Sequence, residues 1–153
     1  MNATKQVHST KPASMRPFFA VWTGQVERAL RMLDGLQAEG EAAVLVHWAL
    51  AEDIRALQRV KAAQVAGKPL PMALREARVW GDKERLFERV LPRLDDTTIG
   101  EWLVAAQVCD GLVKGLRRPD WPLDPWDGLK RLVLMLLQHS GGARDTNALA
   151  LRG

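Results

Sequence analysis

Between Phe18 and Gln138 the apolar residues recur three and four positions apart, and no stretch of the chain alternates with a period of two. A side chain returns to the same face of an α-helix every 3.6 residues and to the same face of a strand every two, so this pattern admits helices and excludes a sheet. Glycine and proline then divide it. Phe18 to Trp22 is an apolar turn closed by Gly24. A helix from about Gln25 to Ala38 carries Val26, Ala29, Leu30, Leu33 and Leu36 on one face and ends at Gly40, where a left-handed cap is least strained for glycine. A long helix from about Glu41 to Ala66 starts almost wholly apolar, Ala42 to Ala51 being broken only by His47, which predicts a place at the centre of the core. Its later half narrows to Ile54, Leu57 and Val60, and Gly67 closes it.

Pro69 and Pro71 open a short helix through Ala77. Gly81-Asp82 caps the next, whose stripe of Leu86, Phe87, Val90, Leu91 and Leu94 contains Pro92, so a kink or an early stop is expected there. Thr98-Ile99-Gly100-Glu101 reads as a capping box for a helix turning Ile99, Trp102, Leu103, Ala106, Cys109 and Val113 inward. Asp124-Pro125 supplies a cap and a first-turn proline for the last helix, with Trp126, Leu129, Val133 and Leu136 inward and Leu132 to Leu137 as a buried face. The expected fold is all-α: one domain of about six to seven helices over residues 18–138, with short connections and neighbours roughly antiparallel. Residues 1–17 are polar, hold Pro12 and Pro17 and show no periodicity, which predicts a disordered leader; residues 139–153, with Gly141-Gly142, read as a flexible tail. A chain of 153 residues suffices for a single core.

The net charge of +4 and pI near 9.6 suggest nucleic acid until the charges are located. Lys5, Lys11 and Arg16 stand in the leader, and Arg144 and Arg152 in the tail with Asp145. The intervening body holds 17 of the 22 basic residues and 17 of the 18 acidic ones, so it is neutral. A tight phosphate-binding surface needs several uncompensated cations on one face, and the body offers none by sequence. No apolar run approaches the ~18 residues of a membrane span. A lone cysteine, Cys109, and the lack of an apolar signal segment before Phe18 predict a cytoplasmic chain.

Catalytic chemistry finds no constellation. His8, His47 and His139 share no helix face and have no cysteine near them, which gives a zinc site no support; no cofactor is expected either. His47 reads as a satisfied core or groove histidine, and Cys109 as a buried inert thiol. Gly67-Lys68-Pro69 lacks the upstream glycine, the following Ser or Thr and the preceding strand of a phosphate-binding loop. Glu52-Asp53, Asp95-Asp96 and Glu84/Glu88 read as solvated faces and caps. Six tryptophans and no tyrosine are present; Trp48, Trp102 and Trp126 fall at inward helix positions, whereas Trp80 and Trp121 fall in joints between helices, where an exposed aromatic anchors a protein partner more often than a base when the body is uncharged.

The ordered landmarks are Arg28-Ala29-Leu30-Arg31-Met32-Leu33-Asp34-Gly35-Leu36, Ala38-Glu39-Gly40-Glu41, Trp48-Ala49-Leu50-Ala51-Glu52-Asp53-Ile54-Arg55, Ala77-Arg78-Val79-Trp80-Gly81, Val113-Lys114-Gly115-Leu116 and Asp124-Pro125-Trp126-Asp127-Gly128-Leu129. In order and spacing, from about Phe18 to Gln138, they resemble the C-terminal domain of the delta subunit of the bacterial DNA polymerase III clamp loader. The resemblance implies a non-catalytic helical collar domain in DNA replication, joining the matching domains of tau/gamma and delta-prime in a five-membered ring. In that family, clamp opening belongs to the first domain of delta and ATP hydrolysis to tau/gamma. Neither that clamp-binding domain nor the ATPase-like fold is matched here, so a truncated chain is expected that does not bind the sliding clamp by itself. Contact with DNA would come only through the assembled complex, and DNA-directed DNA polymerase activity would belong to the holoenzyme. The expected subunit interface holds Arg75, Arg78 and Trp80 at one edge and the Lys114 to Arg118 turn at another. Two rivals stand beside this reading: a nucleic-acid-binding helical domain using the basic tails with Arg117-Arg118, and an enzyme whose pocket would have to gather titratable residues.

Overall fold

The computed structural model describes residues 17–139, with side chains from Ala20 onward; the leader and tail expectations lie outside this range, except that Pro17 and His139 are helical. Seven α-helices and one 3₁₀ turn make up the described residues, with no strand. They are α1 (Pro17–Trp22), α2 (Val26–Ala38), α3 (Ala43–Val65), α4 (Leu70–Glu76), α5 (Asp82–Val90), a 3₁₀ turn (Leu91–Arg93), α6 (Asp96–Val113) and α7 (Pro125–His139). The all-α expectation holds, and the helix boundaries fall within one to three residues of those read from the sequence.

The punctuation acts as the sequence implies. Gly40 follows α2 at φ 81°, and Glu41 N–H donates back to the Leu36 carbonyl, closing the helix in a left-handed turn. Gly24, Gly67 and Gly115 end α1, α3 and α6 in the same way. Pro92 converts the end of α5 into the 3₁₀ turn. Asp124 Oδ1 accepts from Trp126 N–H at 2.8 Å, so Asp124-Pro125 does open α7. The start of α6 differs from expectation: Asp95 is its cap, accepting from Thr98 N–H at 2.7 Å, and Thr98 lies inside the first turn. Asp95 wins because helix begins at Asp96, three residues before the proposed box would allow. The amide of Thr98 holds the Asp95 carboxyl below its ordinary pKa.

The core is one contiguous cluster to which every α-helix contributes, with α3 packed most extensively against α6 and α6 against α7. Leu50, Ile54, Leu57, Phe87, Trp102, Leu129, Leu132 and Leu136 are completely or almost completely buried. Trp22 stacks edge-on to Phe87 at 6.2 Å and lies 5.9 Å from Trp102, while Trp102 meets His139 at 5.9 Å. This aromatic row links α1, α5, α6 and the end of α7. Gly128 lets α7 approach α6 closely: a Cβ there would stand 2.6 Å from Leu112 Cδ1.

Asp53 overturns its reading as part of a solvated pair. Glu52 does face solvent, paired with Arg55 at 2.9 Å, but Asp53 is buried on α3. Its Oδ2 accepts from the indole Nε1–H of Trp22 at 2.9 Å and its Oδ1 from Lys83 Nζ at 2.6 Å. Adjacent helix positions point about 100° apart. The sequence pattern left Asp53 on the wrong side of that division because its partners lie about 30 residues away on α1 and α5. Lys61 Nζ adds a bond from α3 to the Leu91 carbonyl at 3.2 Å, and Lys130 ties α7 to Asp34 of α2 at 2.6 Å.

Asp53→Ala would leave a buried indole N–H unpaired and Lys83 without its counter-ion. A loss of about 2–4 kcal/mol in unfolding free energy is expected by urea titration. Lys83→Met should destabilise as well, and the double variant should lose at least about 1 kcal/mol less than the two single losses summed. Strictly additive losses would show that the pair is not coupled.

Candidate functional site

The polar groups inside the bundle are all engaged: no buried side-chain nitrogen or oxygen among the described residues lacks a hydrogen bond. His47 is the satisfied histidine expected, its Nε2 lying 2.7 Å from the Ala106 carbonyl of α6. Cys109 is buried, Sγ lies 3.4 Å from the Gly128 carbonyl, and burial pushes its thiol up to about 12. A thiol so hard to ionise is a poor nucleophile. Among the described residues no three His, Cys, Asp or Glu side chains gather as metal ligands, and no helix is long and apolar enough to cross a membrane.

The informative surface is apolar. Trp48 was expected in the core but is 55 % exposed, with Val44 and Leu45 at 47 % and 50 %. These three lie at i, i+1 and i+4 on the first half of α3, so their side chains form one stripe. The expectation that this half of α3 is buried all round therefore fails on one side. Val46, His47, Ala49 and Leu50 do pack inward, against a bundle that reaches around only part of the helix circumference. The wholly apolar run cannot distinguish a face covered by its own chain from one left open. Other inward expectations weaken similarly: Trp126 is only half-buried against the core, Val26 and Leu134 are exposed, and Leu30, Leu103 and Val113 are half-buried.

Arg75, Arg78 and Trp80 come together at the α4–α5 joint, all exposed. Here Ala77 caps α4, Val79 N–H donates to the Leu74 carbonyl at 2.9 Å, and Arg78 occupies the left-handed turn at φ 59°. Arg78 is the only non-glycine residue at positive φ among the described residues. Buried Val79 anchors the joint, and Trp80 beside it is 61 % exposed.

Lys114 and Arg118 sit instead in the connection from α6 to α7, both exposed. Lys114 pairs with Asp110 one turn back at 2.7 Å. In the same connection Leu116 is 66 % exposed, and Arg131 of α7 covers the Trp121 ring at 4.1 Å while donating to the Asp120 carbonyl. The proposed interface residues are thus two separate groups in two joints. The sequence reading missed the Val44–Leu45–Trp48 stripe; the signal was present as an apolar run wider than one buried face requires.

Comparison with known proteins identifies no relative: no family model matches the chain, and no curated protein matches it.

Arg78→Gly should relieve the left-handed strain and raise stability by roughly 0.5–1 kcal/mol in chemical denaturation. Lower stability would mean that the arginine side chain holds the joint.

Proposed function

We propose that the helical body is a non-catalytic assembly module, a collar-type domain of a DNA polymerase III clamp-loader delta subunit, with tau/gamma and delta-prime as its partners. The motif order from Arg28 to Leu129 supports the family reading. The observation that carries the assembly reading is the exposed apolar stripe of Val44, Leu45 and Trp48 on a bundle whose buried polar groups are otherwise satisfied. Exposing such side chains to water is unfavourable, and a protein partner that covers them recovers that free energy. Trp80 adds a second aromatic anchor at the α4–α5 joint, flanked by Arg75 and Arg78. Tryptophan and arginine are the residue types whose truncation costs interfaces most. A neutral body can meet neighbouring helical domains without a large charge penalty.

The test is pull-down of tau/gamma and delta-prime by a substitution series: charge reversals at Arg75, Arg78, Lys114 and Arg118, with Trp80→Ala and Trp48→Ala. Trp48→Ala or Trp80→Ala is expected to weaken capture at least about tenfold while leaving the helical spectrum unchanged. Unchanged capture across the whole series would exclude both joints and the stripe as the interface.

A further inference from the structure

The connection from α6 to α7 carries two cations without a counter-ion. Lys114 pairs with Asp110, and Arg131 is committed to the Trp121 ring and the Asp120 carbonyl. Arg117 and Arg118 are exposed, and among the described residues neither guanidinium forms an ion pair or a hydrogen bond. Both line a recess of about 340 Å³ at the C-terminal end of α6, whose apolar surface is Val104, Val108, Leu112 and Leu116, with Gln107 beside them.

The local sequence builds this recess. Gly115 at φ 86° turns the chain back, and Leu116 N–H donates to the Gly111 carbonyl at 2.9 Å. Leu116 thereby folds over Gly111, its Cδ1 3.6 Å from where a Cβ of Gly111 would stand. Pro119 then restricts Arg118 to extended backbone, and Trp121 N–H donates to the Arg118 carbonyl at 3.1 Å to close the next turn. Past Val104, Val108 and Arg118 the recess widens into a groove of about 650 Å³ of mixed character, where Thr97, Glu101 and Asp120 stand with Trp121 and Met135.

This arrangement selects its ligand. A guanidinium recognises a carboxylate through paired N–H···O bonds. Val104 and Leu116, 58 % and 66 % exposed, gain from an apolar cover. A peptide with an aliphatic side chain between carboxylates meets both demands. Nucleic acid meets neither so well: phosphates continuing from the two arginines along the groove would run onto Glu101 and Asp120, and the aliphatic recess gives a base nothing to stack on.

We propose that this recess binds an acidic segment of a protein partner, with one aliphatic side chain over Val108 and Leu116 and its flanking carboxylates on Arg117 and Arg118. The inference goes beyond the clamp-loader reading and does not rest on it. The recess and the Val44–Leu45–Trp48 stripe lie on different helices, so either can fail without the other.

The experiment titrates the full chain, ¹³C-methyl-labelled at valine and leucine, with the peptide acetyl-Asp-Glu-Leu-Leu-Asp-Glu-amide up to ~1 mM. The methyl signals of Val108 and Leu116 are expected to shift and saturate, with those of Val44 and Leu45 unmoved. Arg117→Gln with Arg118→Gln should weaken binding at least about tenfold at an unchanged thermal unfolding midpoint. Serine in place of both peptide leucines should weaken it similarly. Four results would overturn the proposal. They are no shift at Val108 and Leu116, unchanged binding by the double glutamine variant, equal binding of the serine peptide, which reports charge alone, and a single-stranded oligonucleotide of matched charge moving the same signals at lower concentration, which reports a phosphate site.

Discussion

A buried carboxylate at the middle of the longest helix sets the arrangement of the others. Asp53 can remain inside only if neighbouring helices bring donors to both of its oxygens, and Trp22 and Lys83 do so at 2.9 and 2.6 Å. That requirement fixes α1 and α5 against α3. With Trp22 so placed, its indole becomes the centre of the aromatic row through Phe87 and Trp102, and Trp102 in turn receives His139. The position of α7 against α6 follows from the same row and from the close approach at Gly128. Much of this core is generic hydrophobic burial, but the Asp53 bonds are directional and leave few alternative packings.

The inside of the bundle is thus closed, and the outside is not. Polar groups in the interior are matched, while Val44, Leu45 and Trp48 on α3 and Trp80 at the α4–α5 joint face water. Among the described residues the buried polar groups are satisfied without these side chains. Contact with a partner that covers them is what the proposed assembly role supplies. Cys109 is held protonated, and His47 is bound to a backbone carbonyl.

Most of the fold was legible in the sequence because glycine, proline and helical spacing act locally. Gly40, Gly67, Pro92 and Asp124-Pro125 each end or start a helix through contacts within five residues. What was not legible depends on distance along the chain. The burial of Asp53 is decided by Trp22, 31 residues earlier, and Lys83, 30 later. The exposure of Trp48 is decided by how far neighbouring helices wrap around α3, which periodicity does not encode. Asp95 displaced Thr98 as the cap of α6 because both residue types suit the role and only backbone geometry chooses between them. At the candidate site Arg75 lies on α4, Arg78 and Trp80 in the α4–α5 joint, and Lys114 and Arg118 in the α6–α7 connection, all exposed, whereas the larger apolar stripe was hidden in a run that looked like core.

The most direct measurement is size-exclusion chromatography with light scattering, on the chain alone and mixed with tau/gamma and delta-prime. A surface built for assembly predicts co-elution in a complex of defined mass. Separate elution of a folded monomer in every mixture would contradict the account, because the exposed tryptophans would then have no partner among the subunits it names.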